Sequence, residues 1–145
     1  MTVKELLLEK QSEIHTIDKQ TSIVKAMECL ITNKISCLPI IEQEELIGII
    51  SDKDIFKTIF ENRSHFDELA VDNFMTDDVI VGVLDDDIEY IANMMTKNRI
   101  RHVPIVDGKK LIGLVSIGDI VKAKEQDITI ENRYLKQFIE GTYPG

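Results

Sequence analysis

The sequence predicts an α+β protein made of two tandem copies of one strand–helix–strand–strand–helix unit, followed by a helical tail. Three observations carry this prediction. First, the chain repeats itself. Sliding it by 65 residues sets 23–55 against 88–120 with 11 identities in 33 pairs, where average composition would give about two. Second, apolar residues in each copy recur first at helical spacing and then as two short, near-continuous runs, the pattern of a helix followed by buried strands. Third, both copies close on the same motif. Gly48-Ile49-Ile50-Ser51-Asp52-Lys53-Asp54 and Gly113-Leu114-Val115-Ser116-Ile117-Gly118-Asp119 each read as a strand running into a helix start.

In the first copy, residues 14–17 are a short extended segment. Thr21 or Ser22 then caps a helix whose apolar face is Ile23, Ala26, Met27, Leu30 and Ile31, ending at Asn33-Lys34. Residues 35–41 and 46–50 form a hairpin of buried strands around 42–45, and a second helix runs from Asp52 to about Asn62. The second copy follows suit. Residues 79–83 are extended, and Ile88, Ile91, Ala92 and Met95 mark a helix after Asp85-Asp86-Asp87, whose commonest role is an N-cap and first-turn acid. Strands at 100–106 and 111–115 flank the hairpin signal Asp107-Gly108, and Asp119 opens the last helix.

Each copy also carries an apolar prefix, residues 3–7 and 71–75. These are offset by 68 rather than 65, so the loop after the first prefix is three residues longer. The expected division is 3–62, 68–125 and a tail over 126–145. In the tail, Ile128, Ile130, Tyr134, Leu135, Phe138 and Ile139 suggest an amphipathic helix stopped by Gly141. Its apolar face needs covering, by the body of the subunit or, as we expect, by a second subunit.

Composition narrows the function. With 43% hydrophobic residues over 145 positions the chain is globular, with a sizeable core. No apolar run approaches the ~20 residues of a membrane span, and the amino terminus lacks an apolar signal core. Cys29 and Cys37 fit reduced core or boundary positions, so a cytoplasmic protein is expected. A net charge of −9 without an opposing Lys/Arg cluster argues against nucleic acid. His15, His65 and His102 share no metal-ligand spacing with the cysteines, and neither a Ser/His/Asp set nor a Walker-type loop is legible. Neither metal nor catalysis is expected.

The Gly-x-x-Ser-x-x-Asp motif admits two readings. Ser with Asp three residues on is close to a capping box, and Gly48 and Gly113 can serve simply to let backbone pack closely near a strand. The same atoms also suit a nucleotide. Helix-start N–H groups face a phosphate, a carboxylate accepts ribose hydroxyls, and a glycine admits a flat base.

The order of elements, the h-Pro-h-h strands Leu38-Pro39-Ile40-Ile41 and Val103-Pro104-Ile105-Val106, the Leu-Ile-Gly-h-h-Ser-x-x-Asp runs and the tandem spacing resemble cystathionine-β-synthase-type (CBS) domains. The resemblance covers about residues 3–125 and implies a pseudo-symmetric pair of repeats, a Bateman module. Such modules bind adenosine-containing ligands (AMP, ADP, ATP, S-adenosylmethionine, occasionally NAD(H)) as regulatory ligands, require no cofactor, and often form disc-like homodimers.

Carried over residue by residue, the resemblance assigns Asp54 and Asp119 to the ribose hydroxyls and Ser51 and Ser116 to ribose or phosphate. Thr16 would frame the base. Arg101 and His102, just before the proline, are either phosphate contacts or an ordinary solvated strand end, and Lys53 likewise meets phosphate or water. The chain departs from the pattern at Val81, which replaces a Thr/Ser, and at Lys19 and Leu84, where the family carries a proline. Ser36-Cys37 stands where the second copy has Arg101-His102, so the two pockets are expected to differ, the basic pair favouring a phosphorylated ligand. The function implied is a non-catalytic sensor whose regulated protein is another chain. The alternative is an interaction protein with vestigial clefts, assembled through its tail.

Overall fold

Two β-hairpins with matching registers form the centre of the molecule. The computed structural model describes residues 1–125; the helix expected in the tail lies outside the described residues. Strand β1 (Cys37–Glu42) pairs with β2 (Glu45–Ser51), and β3 (His102–Asp107) with β4 (Lys110–Ser116). Cys37 faces Ser51 and His102 faces Ser116, and each ladder shifts register at the same place, between Ile40 and Ile41 and between Ile105 and Val106. The hairpins join as one four-stranded antiparallel sheet in the order β1-β2-β4-β3. That joint is small: Leu46 donates its N–H to the Lys109 carbonyl at 2.9 Å, and Leu111 donates to Glu44 at 3.2 Å.

Among the described residues, five α-helices accompany the sheet: α1 (Val3–Lys10), α2 (Ile23–Asn33), α3 (Asp52–Glu61), α4 (Ile88–Asn98) and α5, from residue 117 to the last described residue, 125. Their starts are set by side chains satisfying exposed N–H groups. Ser22 accepts from Lys25 N, and Asp87 from Glu89 N. Asp86 also accepts from Val83 N at 2.9 Å, so two of the three consecutive aspartates act as local backbone acceptors. Helices α2 and α4 both end on a non-glycine residue in the left-handed region, Lys34 (φ 54°) and Arg99 (φ 55°).

The extended segments expected at 14–17 and 79–83 are each reduced to a single parallel bridge, Ile17 to Ile40 and Gly82 to Ile105. The prolines supply the reason. Ile17 donates to the Pro39 carbonyl and accepts from Ile41 N, and Gly82 does the same with Pro104 and Val106. The next bond of either ladder would have to come from the nitrogen of Pro39 or Pro104, which bears no hydrogen.

The prefixes are exchanged between the repeats. Val3 and Leu6 of α1 are buried with Ile88, Ile91, Val103, Ile105 and Val115 of the second repeat. Val71 is buried with Ile23, Leu38, Ile40 and Ile50 of the first. Backbone bonds hold each crossing: Val3 N to Asp86 O and Val71 N to Thr21 O, both 2.9 Å. Two cores result, each closed by the prefix that precedes the other repeat in sequence. This exchange places the end of α1 beside the second repeat.

Candidate functional site

Each Ser-x-x-Asp motif is a complete capping box. Asp54 N donates to Ser51 Oγ at 3.2 Å while Ser51 N donates to Asp54 Oδ2 at 2.9 Å. The second repeat matches, with Asp119 N to Ser116 Oγ at 3.1 Å and Ser116 N to Asp119 Oδ2 at 2.8 Å. The cap holds each carboxylate in one orientation at a strand-to-helix corner, a precondition for using it on a ligand.

Two clefts meet these corners, and each draws on both repeats. The Ser51 cleft, of about 390 Å³, is lined by Ser51, Asp52, Lys53 and Asp54 from the first repeat and by Asp78–Ile80 and Asn98–His102 from the second. The Ser116 cleft, of about 720 Å³, is lined by Ser116 and Gly113 from the second repeat and by 12–15 and 33–37 from the first. Subtracting 65 from 78–80 and 98–102 of the Ser51 cleft gives 13–15 and 33–37, all of which line the Ser116 cleft, so the two are related by the internal duplication. Both volumes suit a small organic ligand.

This crossing decides which predicted residues meet. Arg101 and His102 lie with Ser51, Lys53 and Asp54, the motif of the opposite repeat. His102 and Cys37 line both clefts. Thr16 lines neither; it faces a separate groove with Ile17, Thr21 and Lys25. The glycines mainly answer a packing need. A Cβ on Gly48 would lie 2.5 Å from Met75 Sδ, and one on Gly113 would lie 2.6 Å from Leu7 Cδ1. Met75 and Leu7 belong to the two exchanged prefixes, so these positions admit the prefix side chains against the strands.

The electrostatics of the clefts differ. Burial, with help from the Lys10 charge, holds the His102 imidazole below its ordinary value of 6.5, against the opposing pull of Asp119 and Asp52. His102 is therefore neutral at pH 7, and Arg101, with Lys53 and Arg99, supplies the positive charge of the Ser51 cleft. Burial also pushes the Cys37 thiol up to about 12, with Asp52 adding to the effect, so Cys37 behaves as an inert apolar wall. Cys29 and Cys37 are both free.

One residue absent from the sequence expectations changes the second site. Lys10, in the last turn of α1, donates to Asp119 Oδ2 and to the Leu114 carbonyl, both at 2.8 Å. Burial alone would raise the Asp119 carboxyl; hydrogen bonds from Lys10 and Ser116 and the Lys10 charge outweigh it and hold the group below the usual carboxylate range. A signal did exist in the sequence: the three extra residues after the first prefix permit α1 to extend to Lys10. Lys34 and Arg99, cations at equivalent positions of the two copies, are likewise cleft residues that motif reasoning missed. Among the described residues, no cluster of His, Cys, Asp and Glu could hold a metal ion, and no helix is long and apolar enough to cross a membrane.

The CBS domain family model matches residues 3–61 and 71–126. The mitochondrial CBS domain-containing protein CBSX3 of Arabidopsis thaliana is 29% identical over 127 residues, covering 84% of this chain and 62% of its own length. The CBS domain pair of protein MJ0100, solved with 5′-methylthioadenosine and S-adenosyl-L-methionine, superposes with a TM-score of 0.77 at 29% identity, covering 88% of this chain and 98% of that one. CBSX2 in complex with AMP gives a TM-score of 0.75 at 27% identity, covering 86% and 96%. The chain spans 62%, 41% and 22% of the lengths of the first three curated relatives it matches.

Proposed function

The chain belongs to the CBS-domain family, and from that premise we propose that it is a non-catalytic regulatory module binding an adenosine-containing ligand between its two repeats. The observation that carries this reading is the composite make-up of the clefts. A capped Ser-x-x-Asp corner from one repeat faces the residues before the h-Pro-h-h strand of the other, so a ligand held there bridges both. A molecule bridging two packed units favours the arrangement that fits it best and shifts their populations accordingly. That shift is the signal a regulated protein would read.

In the Ser51 cleft, Asp54 is oriented to accept the ribose hydroxyls, with Ser51 beside it. Lys53, Arg99 and Arg101 are the cations available to a phosphate, which favours the nucleotides AMP, ADP and ATP. The complexes of MJ0100 and CBSX2 show that related pairs hold adenosyl ligands. The free cysteines support a reducing compartment, the cytoplasm. We also place a homodimer contact on the outer faces of α3 and α5. Phe56 and Val121, equivalent by the 65-residue offset, are 66% and 48% exposed there, and Phe60 is 68% exposed. Those same side chains favour, as a second reading, an interaction protein.

Thermal unfolding with and without millimolar AMP, ADP, ATP, NADH and S-adenosylmethionine separates the two. A ligand at 100 times its dissociation constant adds about 2.7 kcal/mol, several degrees for a domain of this size. A shift with one ligand establishes the sensor; none with any of them leaves the interaction protein.

A further inference from the structure

We infer that Lys10 closes the Ser116 cleft to a ribose, so that the protein takes one adenosyl ligand per chain, in the Ser51 cleft. The inference rests on the functional reading above and assigns its stoichiometry. Its basis is a difference between two sites otherwise built alike. Asp54 lines the Ser51 cleft directly. Asp119 does not line the Ser116 cleft. Lys10 stands between them, lining that cleft and also a separate depression of about 150 Å³ in which Asp119 lies.

The hydrogen bonds hold the barrier in place. Asp119 Oδ2 accepts from both Ser116 N and Lys10 Nζ, so the ammonium is fixed on the carboxylate at the side where it meets the cleft. Among the described residues, Asp54 Oδ2 accepts from Ser51 N and from no side chain, leaving room for a hydroxyl. Lys10 is also anchored on the Leu114 carbonyl. In the first repeat the equivalent carbonyl, Ile49, is satisfied by Thr76 N at 2.9 Å. The ammonium of Lys10 thus does for β4 what a backbone amide does for β2. A ligand displacing Lys10 would strand a strand carbonyl as well as an ion pair. The asymmetry originates in the prefixes. The first is an eight-residue helix reaching Lys10, whereas the second is a single turn, Val71–Asn73, followed by the Ile49–Thr76 bridge.

Equilibrium dialysis with AMP and with S-adenosylmethionine tests the assignment, each variant being checked for folding by its melting temperature. Wild type is expected to bind one molecule per chain. Asp54→Ala is expected to bind at least 100-fold more weakly with no second site appearing, Lys10→Arg to retain one, and Lys10→Met to bind two. Two molecules bound per wild-type chain, only one bound by a folded Lys10→Met, or one retained by Asp54→Ala at wild-type affinity, would overturn the assignment while leaving the sensor reading intact. No binding of either ligand by wild type and Lys10→Met alike, together with no thermal shift from any of the five ligands above, would overturn the sensor reading and the assignment with it.

Discussion

The Ser51 and Ser116 corners share a capping box, a strand register and a bulge position, yet they meet different cations. At the first, Lys53, Arg99 and Arg101 line the cleft around an accessible Asp54. At the second, Gly118 replaces Lys53, Ser36 replaces Arg101, and Lys10 is paired with Asp119 itself. Duplication copies a scaffold faithfully because caps, hairpins and apolar faces are local. It copies a site poorly, because each cleft borrows half its wall from the other repeat and a corner from a prefix with its own spacing.

The largest expected effect concerns the glycines. Gly48→Ala should cost about 1–3 kcal/mol, because its Cβ meets both Met75 Sδ at 2.5 Å and the Thr76 carbonyl at 3.1 Å. Gly113→Ala should cost less, since its two closest neighbours are the terminal carbons of Leu7. Urea unfolding of both variants checks the order, and a reversed order breaks the packing comparison. Next comes the ligand. Arg101→Ala should weaken AMP binding by about tenfold, roughly the 1.5 kcal/mol of one charge-assisted hydrogen bond. It should leave adenosine affinity nearly unchanged. Equal losses for both ligands by calorimetry would take the phosphate away from Arg101.

A smaller effect follows from His102. Its folded value lies below 6.5, so the unfolded chain takes up this proton first. The stability involved is complete above pH 6.5 and is lost as the pH falls below it. Asp52, Asp119, Lys10 and Arg101 are the charges that act on the ring. His102→Gln should flatten the melting-temperature profile between pH 7 and 5; an unchanged slope would assign the acid sensitivity to other groups. The smallest effect sits in the turns. The first hairpin holds Gln43 and Glu44 at φ 51° and 68°, while the second uses Gly108 at φ 62°. Gln43→Gly, at the position equivalent to Gly108, should therefore stabilise by about 1 kcal/mol or less, read as a rise of a few degrees or less in melting temperature.

Much of the fold was legible because its determinants are near neighbours in the chain. The Ile23–Leu30 face, the Ser51 and Ser116 caps and the Asp107-Gly108 turn signal each lie within a few residues. The two first strands were overestimated for a reason also visible in sequence, Pro39 and Pro104, whose effect depends on which strand lies alongside. The site was legible as residue types but not as partners. Arg101 reads as a neighbour of its own repeat, and only packing sets it beside Asp54. Lys10 and Asp119 are 109 positions apart, and no local pattern joins them.

The sequence by itself determined the α+β repeat, its 65-residue offset, the capped Ser-x-x-Asp corners and the family to which they belong, because propensity, periodicity and capping act over a few residues. The tertiary structure alone decided the exchange of the prefixes, the pairing of each corner with the opposite repeat, and the capture of Asp119 by Lys10. These rest on burying two apolar faces against each other and satisfying the carbonyls left between them, and such terms depend on distance in space rather than along the chain.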